Sequence, residues 1–404
     1  MIGRRVVGRI AALAVTTFVL STVGVASAAP TAWHEVTSPH VSGNASEIYA
    51  MTATGADDVW AFGYDRANIA GTFEWRVLGQ HWDGTQWTRL NTLDRETAPA
   101  HDFIYGASAT ATDDVWIVGQ SDTSVGSSVS RNLVEHWDGA HWSIDDSVPD
   151  PGVRRGLLAV SARTRTDVWA VGNGTLTGRS DYNGFVVHRS AAGWAQVPFA
   201  LTVPGCNRAA RGELEAVSAV AAHDVYVAGW CQSQPIGDHR GFVAHYDGAG
   251  WSLVLESQRN SELTQLSVAP GGEVWVGGSA IAHGPNPAEY PLIWHGTALR
   301  GWTSVPVRHS LTFQGPLGAL SVSAAGVFIA GQLADPHAAP FVSYALRLGA
   351  DGHWHKEPVV PSGAFGYARL HAAAAEPTGT LWLGGTAVGG STPDVQSLLA
   401  RRDS

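Results

Sequence analysis

Seven times along this chain a short segment closes on an aromatic residue preceded by valine or leucine, and that recurrence restricts the fold more than any other feature. Aligned on the aromatic, the copies are Asp58-Val59-Trp60, Asp114-Val115-Trp116, Asp167-Val168-Trp169, Asp224-Val225-Tyr226, Glu273-Val274-Trp275, Gly326-Val327-Phe328 and Thr380-Leu381-Trp382. Consecutive aromatics stand 49 to 57 residues apart, a period that signals repeated supersecondary units. Units of that length cannot bury both faces alone and must stack on their neighbours. The 404 residues therefore read as one array, where length alone would suggest two or three domains.

Each repeat opens with a short apolar segment, for example Gly156-Leu157-Leu158-Ala159-Val160-Ser161-Ala162, then turns into the Val-Trp segment, which ends in glycine. Both have the length and composition of strands. A third strand ends in His-Trp-Asp-Gly or a relative at residues 81–84, 136–139 and 245–248. After that tight turn a fourth opens on Trp87, Trp142, Trp194, Trp251, Trp302 or Trp354. Four antiparallel strands make one propeller blade, so the fold class expected is all-β, a seven-bladed β-propeller. The seventh unit supplies a third strand at residues 397–402 and no fourth, whereas Trp33-His34-Glu35-Val36 is an orphan fourth strand one full period before Trp87. The N-terminal strand is thus expected to complete the last blade and close the ring, which removes an open edge.

The pattern Val-Trp-x-x-Gly, then Tyr/Trp-Asp-Gly, then Trp resembles the kelch repeat of β-propellers, shared by the propeller of galactose oxidase. The resemblance covers about residues 31–404, with a glycine doublet at Gly277-Gly278 and at Gly384-Gly385. It implies a scaffold that carries binding proteins and enzymes alike.

Arg4, Arg5 and Arg9 precede an apolar run that reaches the small triplet Ala26-Ser27-Ala28. This reads as a secretory signal peptide, residues 1–28, followed by a single propeller domain, residues 29–404, that is secreted and extracellular. The Arg4-Arg5 pair leaves general secretion and twin-arginine export both open. No later stretch is apolar for long enough to span a membrane. Without the three leader arginines, 22 of the 25 basic residues face 35 acidic ones, a balance that repels phosphates and excludes nucleic acid as a partner. Only two cysteines occur, Cys206 and Cys231, and export makes a disulfide between them the expected state. Neither has a CxxC partner, so no metal is assigned, and no cofactor motif is found.

Histidine closes the third strand at His81, His136, His188, His245 and His295. The alternation of strand direction brings Ser161, Asp167 and His188 to one rim, and likewise Ser108, Asp114 and His136. Where the acid becomes Gly326 or Thr380, the histidine has become Arg347 or Arg401. This joint loss marks a bonded Asp-His pair that ties a blade together, since a catalytic triad is needed once and not five times. Fifteen of the 17 tryptophans belong to the repeat and are assigned to packing between blades. Trp75 and Trp230 do not.

The long, dissimilar loops share one face, and ligand residues are sought there. Trp75, Trp230, Glu47, Tyr49 and Arg369 are the candidate ligand-binding residues. His101, Tyr105, Glu213, Glu215 and Arg211 are weaker candidates for catalysis, paired carboxylates for glycoside hydrolysis, or tyrosine or histidine with arginine for a polysaccharide lyase. The expected partner is an extracellular glycan or other small ligand. A carbohydrate-active enzyme and a protein-binding scaffold are the alternatives.

Overall fold

The computed structural model describes residues 33–40, 44–69, 71–92, 94–95, 101–122, 130–150, 153–175, 182–204, 206, 212–232, 238–281, 289–307, 315–335, 338–357, 367–389 and 394–403. The expected leader and Arg211 lie outside the described residues. Within them the chain forms seven four-stranded antiparallel blades, a seven-bladed β-propeller. The inner strands are Ala45–Gly55, Asp102–Ala111, Val153–Thr164, Gly212–Ala221, Ser261–Val268, Leu317–Ser323 and Tyr367–Ala375, one from each blade in order. The last blade is closed as expected. His34–Glu35 pairs with Asp394–Arg402, with His34 opposite Arg401, and the Val36 amide donates to the Leu399 carbonyl at 2.9 Å.

The hydrophobic core is divided into seven clusters, and each lies between two neighbouring blades. The repeat explains why. The tryptophan that opens an outer strand packs back onto the second-strand aromatic of the preceding blade. Trp142 meets Trp60 edge-on at 6.2 Å, Trp194 meets Trp116 at 5.9 Å, Trp251 meets Trp169 at 6.4 Å and Trp302 meets Tyr226 at 6.2 Å. Trp87 reaches across the closure to Trp382 at 5.2 Å, and Trp33 shares a cluster with Phe328. Such edge-to-face pairs add about 0.5–1.5 kcal/mol each beyond burial, and they fix the angle between blades.

On one rim the acid and histidine of each of the first five blades are bonded. His81 to Asp58 is 2.8 Å, His136 to Asp114 2.8 Å, His188 to Asp167 2.9 Å, His245 to Asp224 2.7 Å and His295 to Glu273 2.8 Å. Each imidazole also lies against its blade's second-strand aromatic, 4.0 Å from Trp60 in the first blade and 4.1 Å from Trp169 in the third. The expected acid-histidine pairs are found, but Ser161 and Ser108, expected to meet them on the rim, bond elsewhere. The Ser161 hydroxyl accepts the Ala219 amide at 3.0 Å and Ser108 accepts that of Ala162 at 3.0 Å, so each ties its inner strand to the next blade. In the seventh blade Arg401 takes the histidine's place, with its guanidinium over Trp382 at 5.6 Å.

These pairs have a pH signature. Burial alone would raise the Asp58 and Asp167 carboxyls, but hydrogen bonds from His81 and Thr54 in one case, and from His188 and Arg163 in the other, hold both below the usual carboxylate range. A depressed folded pKa gives stability that is complete above the unfolded value of about 4 and is lost as pH falls through the folded value. Thermal melting between about pH 6 and pH 3 should therefore fall more steeply for the wild type than for the double variant Asp58→Asn, Asp167→Asn. Parallel curves would show that other groups drive acid unfolding.

Candidate functional site

Every inner strand slips register by one residue against its neighbour, at 48/50, 104/106, 157/159, 214/216, 263/265, 317/319 and 370/372. The residue before the slip is Ile or Leu and is buried between blades, from Ile48 at 0% exposed to Leu317 at 6%. The bulged residues are Tyr49, Tyr105, Leu158, Glu215, Thr264, Gly318 and His371, all half-buried. A bulge frees one side chain from the ladder and re-aims it. Here the seven converge on the axis and line a cavity of about 470 Å³.

The bulge also accounts for the glycine that ends each Val-Trp segment. It drives a carbonyl of the inner strand against the second strand. A Cβ added to Gly63, Gly119, Gly172, Gly229, Gly278, Gly331 or Gly385 would stand 1.8–2.4 Å from the oxygen of Glu47, Phe103, Gly156, Glu213, Glu262, Pro316 or Arg369 respectively. Only a residue without Cβ permits that approach.

The lining is uneven around the ring. Blades seven, one and two contribute a ring cluster: Tyr49 stacks on His371 at 4.7 Å and 11°, lies over Tyr64 at 5.7 Å, and meets Tyr105 edge-on at 6.2 Å. Tyr49 donates its hydroxyl to Glu47 Oε2 at 3.1 Å. Burial first, and then the Glu47 charge, push the Tyr49 phenol up to about 12, so it stays protonated in neutral solution. Burial, reinforced by the Arg369 charge and opposed by Glu47, pushes the His371 imidazole down and keeps it neutral. His371 Nε2 is buried and has no hydrogen-bond partner among the described residues. Glu215, Thr264 and Gln265 furnish the polar lining from blades four and five, while Leu158 and Gly318 complete the ring.

The structure thus brings together five of the sequence candidates, Glu47, Tyr49, Tyr105, Glu215 and Arg369, at or just above the bulge ring. It does not bring in the rest. Glu213 is 5% exposed and pairs in register with Trp230. Trp230 is itself buried and stacks on His239 at 4.0 Å, and His239 is bonded to Glu262. His101 is 2% exposed beneath Trp75, with the rings 5.2 Å apart. Trp75 is half-buried on the third strand of the first blade. Cys206 and Cys231 form a disulfide with Cα atoms 5.9 Å apart. It joins the segment leading into the fourth blade to that blade's second strand. Among the described residues no group of His, Cys, Asp or Glu is arranged to hold a metal ion, and no helix is long and apolar enough to cross a membrane.

Sequence reasoning missed His371. Its signal was the repeat itself, because Glu47-Ile48-Tyr49, Glu213-Leu214-Glu215 and Arg369-Leu370-His371 are the same three positions of the inner strand.

No family profile and no curated protein sequence matches the chain. Solved structures do match in fold. A GH74 xyloglucanase from Xanthomonas campestris is 14% identical with a TM-score of 0.54, over 91% of this chain and 55% of that one. A PL25 polysaccharide lyase, an ulvan lyase, is 9% identical with a TM-score of 0.53, over 91% and 95%. A YCF48 bound to D1 peptide is 13% identical with a TM-score of 0.50, over 92% and 97%. At these identities the likeness concerns the propeller.

Proposed function

We propose that the chain is a secreted, kelch-like binding propeller that takes an extracellular glycan in the axial cavity, from the face where the inner strands begin. The observation that carries this reading is the uneven ring of bulged side chains, with the Tyr49–His371 stack and the unpartnered His371 Nε2 on one side and Glu215, Thr264 and Gln265 opposite. A sugar presents an apolar ring face and a rim of hydroxyls. The cavity offers aromatic rings for the first and donors and acceptors for the second. The disulfide and the leader-like residues 1–28 support an exported protein. Similarity in fold to a xyloglucanase and a polysaccharide lyase is consistent with a glycan partner.

The test is a glycan array with the wild type, followed by titration calorimetry on the hits. Tyr49→Ala should weaken binding about tenfold. His188→Ala, on the opposite rim, should lower the melting temperature and leave affinity unchanged. An array that retains no glycan rejects the reading, as does a hit whose affinity is indifferent to Tyr49.

A second reading, elimination on a uronate-bearing chain, is favoured by the stack of Tyr49 on His371 beside the Arg369 charge, with both rings uncharged. The neutral His371 imidazole would remove the proton next to the carboxylate, the Tyr49 phenol would protonate the leaving oxygen, and Arg369 would neutralise the carboxylate. Incubating acidic hits with the protein and watching for ultraviolet-absorbing unsaturated ends decides it.

A further inference from the structure

The ring cluster in the cavity does not end at the axis. Tyr105 lies parallel to Phe103 at 6.3 Å and 1°, Phe103 is 6.2 Å from Trp75, and Trp75 is 6.4 Å from Phe73. With Tyr49 and His371 this makes a continuous row of six rings that runs from the axial cavity outward along the junction of the first and second blades. The inner five are half-buried, and the outermost, Phe73, is 48% exposed. The row also joins the two blades, with Phe103 meeting Tyr64 edge-on at 5.3 Å, but it lies outside the buried cluster of Trp60, Phe62 and Trp142 at the same junction and leads to an exposed ring.

Polar groups accompany the rings. Arg66 lies over Phe73 at 5.3 Å, and Arg76 is bonded to Glu74 at 2.7 Å. Arg76 is thus paired with a carboxylate, while Arg66 covers one face of the Phe73 ring.

We propose that this row is a track of subsites for an extended pyranose chain whose end enters the axial cavity. The proposal rests on the glycan reading above and adds what that reading leaves open: the ligand is an oligosaccharide several units long, and its outer units stack on Trp75 and Phe73. Ring centroids 6.2–6.4 Å apart, leading out of a polar cavity, offer successive stacking partners to a chain of sugar rings, more of them than a single small molecule would occupy.

Three size-graded series, β-1,4-gluco-, β-1,4-xylo- and α-1,4-galacturono-oligosaccharides from dimer to octamer, would be titrated into the full-length protein. Affinity should rise with length in the series that binds. Phe73→Ala should remove about three- to tenfold of that gain for long members and nothing for short ones. Trp75→Ala should remove more, and Tyr49→Ala should weaken short and long members alike. Phe73 is exposed, so its variant keeps the test open if Trp75→Ala fails to fold. Binding that is flat with length, or a gain that survives both substitutions, overturns the track and leaves the cavity reading standing. If no member of the three series binds, the track is overturned, and the glycan reading stands or falls on the array alone.

Discussion

Trp33→Ala is expected to destabilise the ring by about 3–5 kcal/mol, the usual cost of emptying a buried aromatic site. The magnitude follows from where the residue sits. Trp33 is 4% exposed in the cluster that also holds Phe328, Leu370 and Ala400, and it anchors the short strand that closes the last blade. The segment behind it is laced to both sides of the closure. Ser38 reaches Gln80 of the first blade at 2.9 Å and Ser397 of the seventh at 2.8 Å, and Gln80 bonds the Pro39 carbonyl at 3.1 Å. Losing the anchor should free an edge and split one cooperative unfolding transition into a broader one. Differential scanning calorimetry reads both effects, and an unchanged endotherm would show that closure does not depend on this strand.

Gly63→Ala is the second large effect. Its Cβ would lie 1.9 Å from the Glu47 carbonyl oxygen, inside any tolerable contact, and the obstacle is backbone rather than a side chain that can swing away. The strand must flatten its bulge or the pair must separate, at a cost of about 3 kcal/mol or more. Either response moves Tyr49, so on the proposed reading glycan affinity should fall beyond what the stability loss explains. Gly250→Ala is the matched control, because nothing lies within 4 Å of a Cβ there. A Gly63→Ala variant that melts with the wild type would show that the bulge does not depend on glycine at this position.

Much of the scaffold could be read from the chain before any coordinates. The seven aromatics, the outer-strand tryptophans and the acid-histidine pairs recur because every blade must solve the same packing problem. The truncated seventh unit and Trp33 together led to closure. What escaped was contact across blades. Ser161 was expected beside Asp167 because both map to one rim, yet its hydroxyl meets the neighbouring inner strand, which sequence spacing within a blade cannot reveal. Trp230 stands outside the repeat by position, but its burial under His239 depends on a residue nine places on along the next strand. His371 was legible, because Tyr49, Tyr105 and Glu215, all named from the sequence, stand at the same position after the buried Ile or Leu. The glycine of each Val-Trp segment was visible seven times, but its reason, a carbonyl pressed onto Cα, exists only in three dimensions.

The bulge has a broader meaning for how such a molecule can diversify. The buried clusters between blades are built on the residue before each bulge and the aromatic of the second strand, so the bulged residue is freer to vary. Six of the seven columns accept side chains as different as leucine, threonine, glutamate, tyrosine and histidine on nearly the same backbone. The exception is Gly318, where a Cβ would sit 1.9 Å from the Leu370 oxygen. The axis is therefore a six-letter word written on a frame that does not read it. On the proposed reading, respelling it would change what the cavity recognises while the architecture stays silent, and the seventh, fixed position marks where the frame still dictates the text.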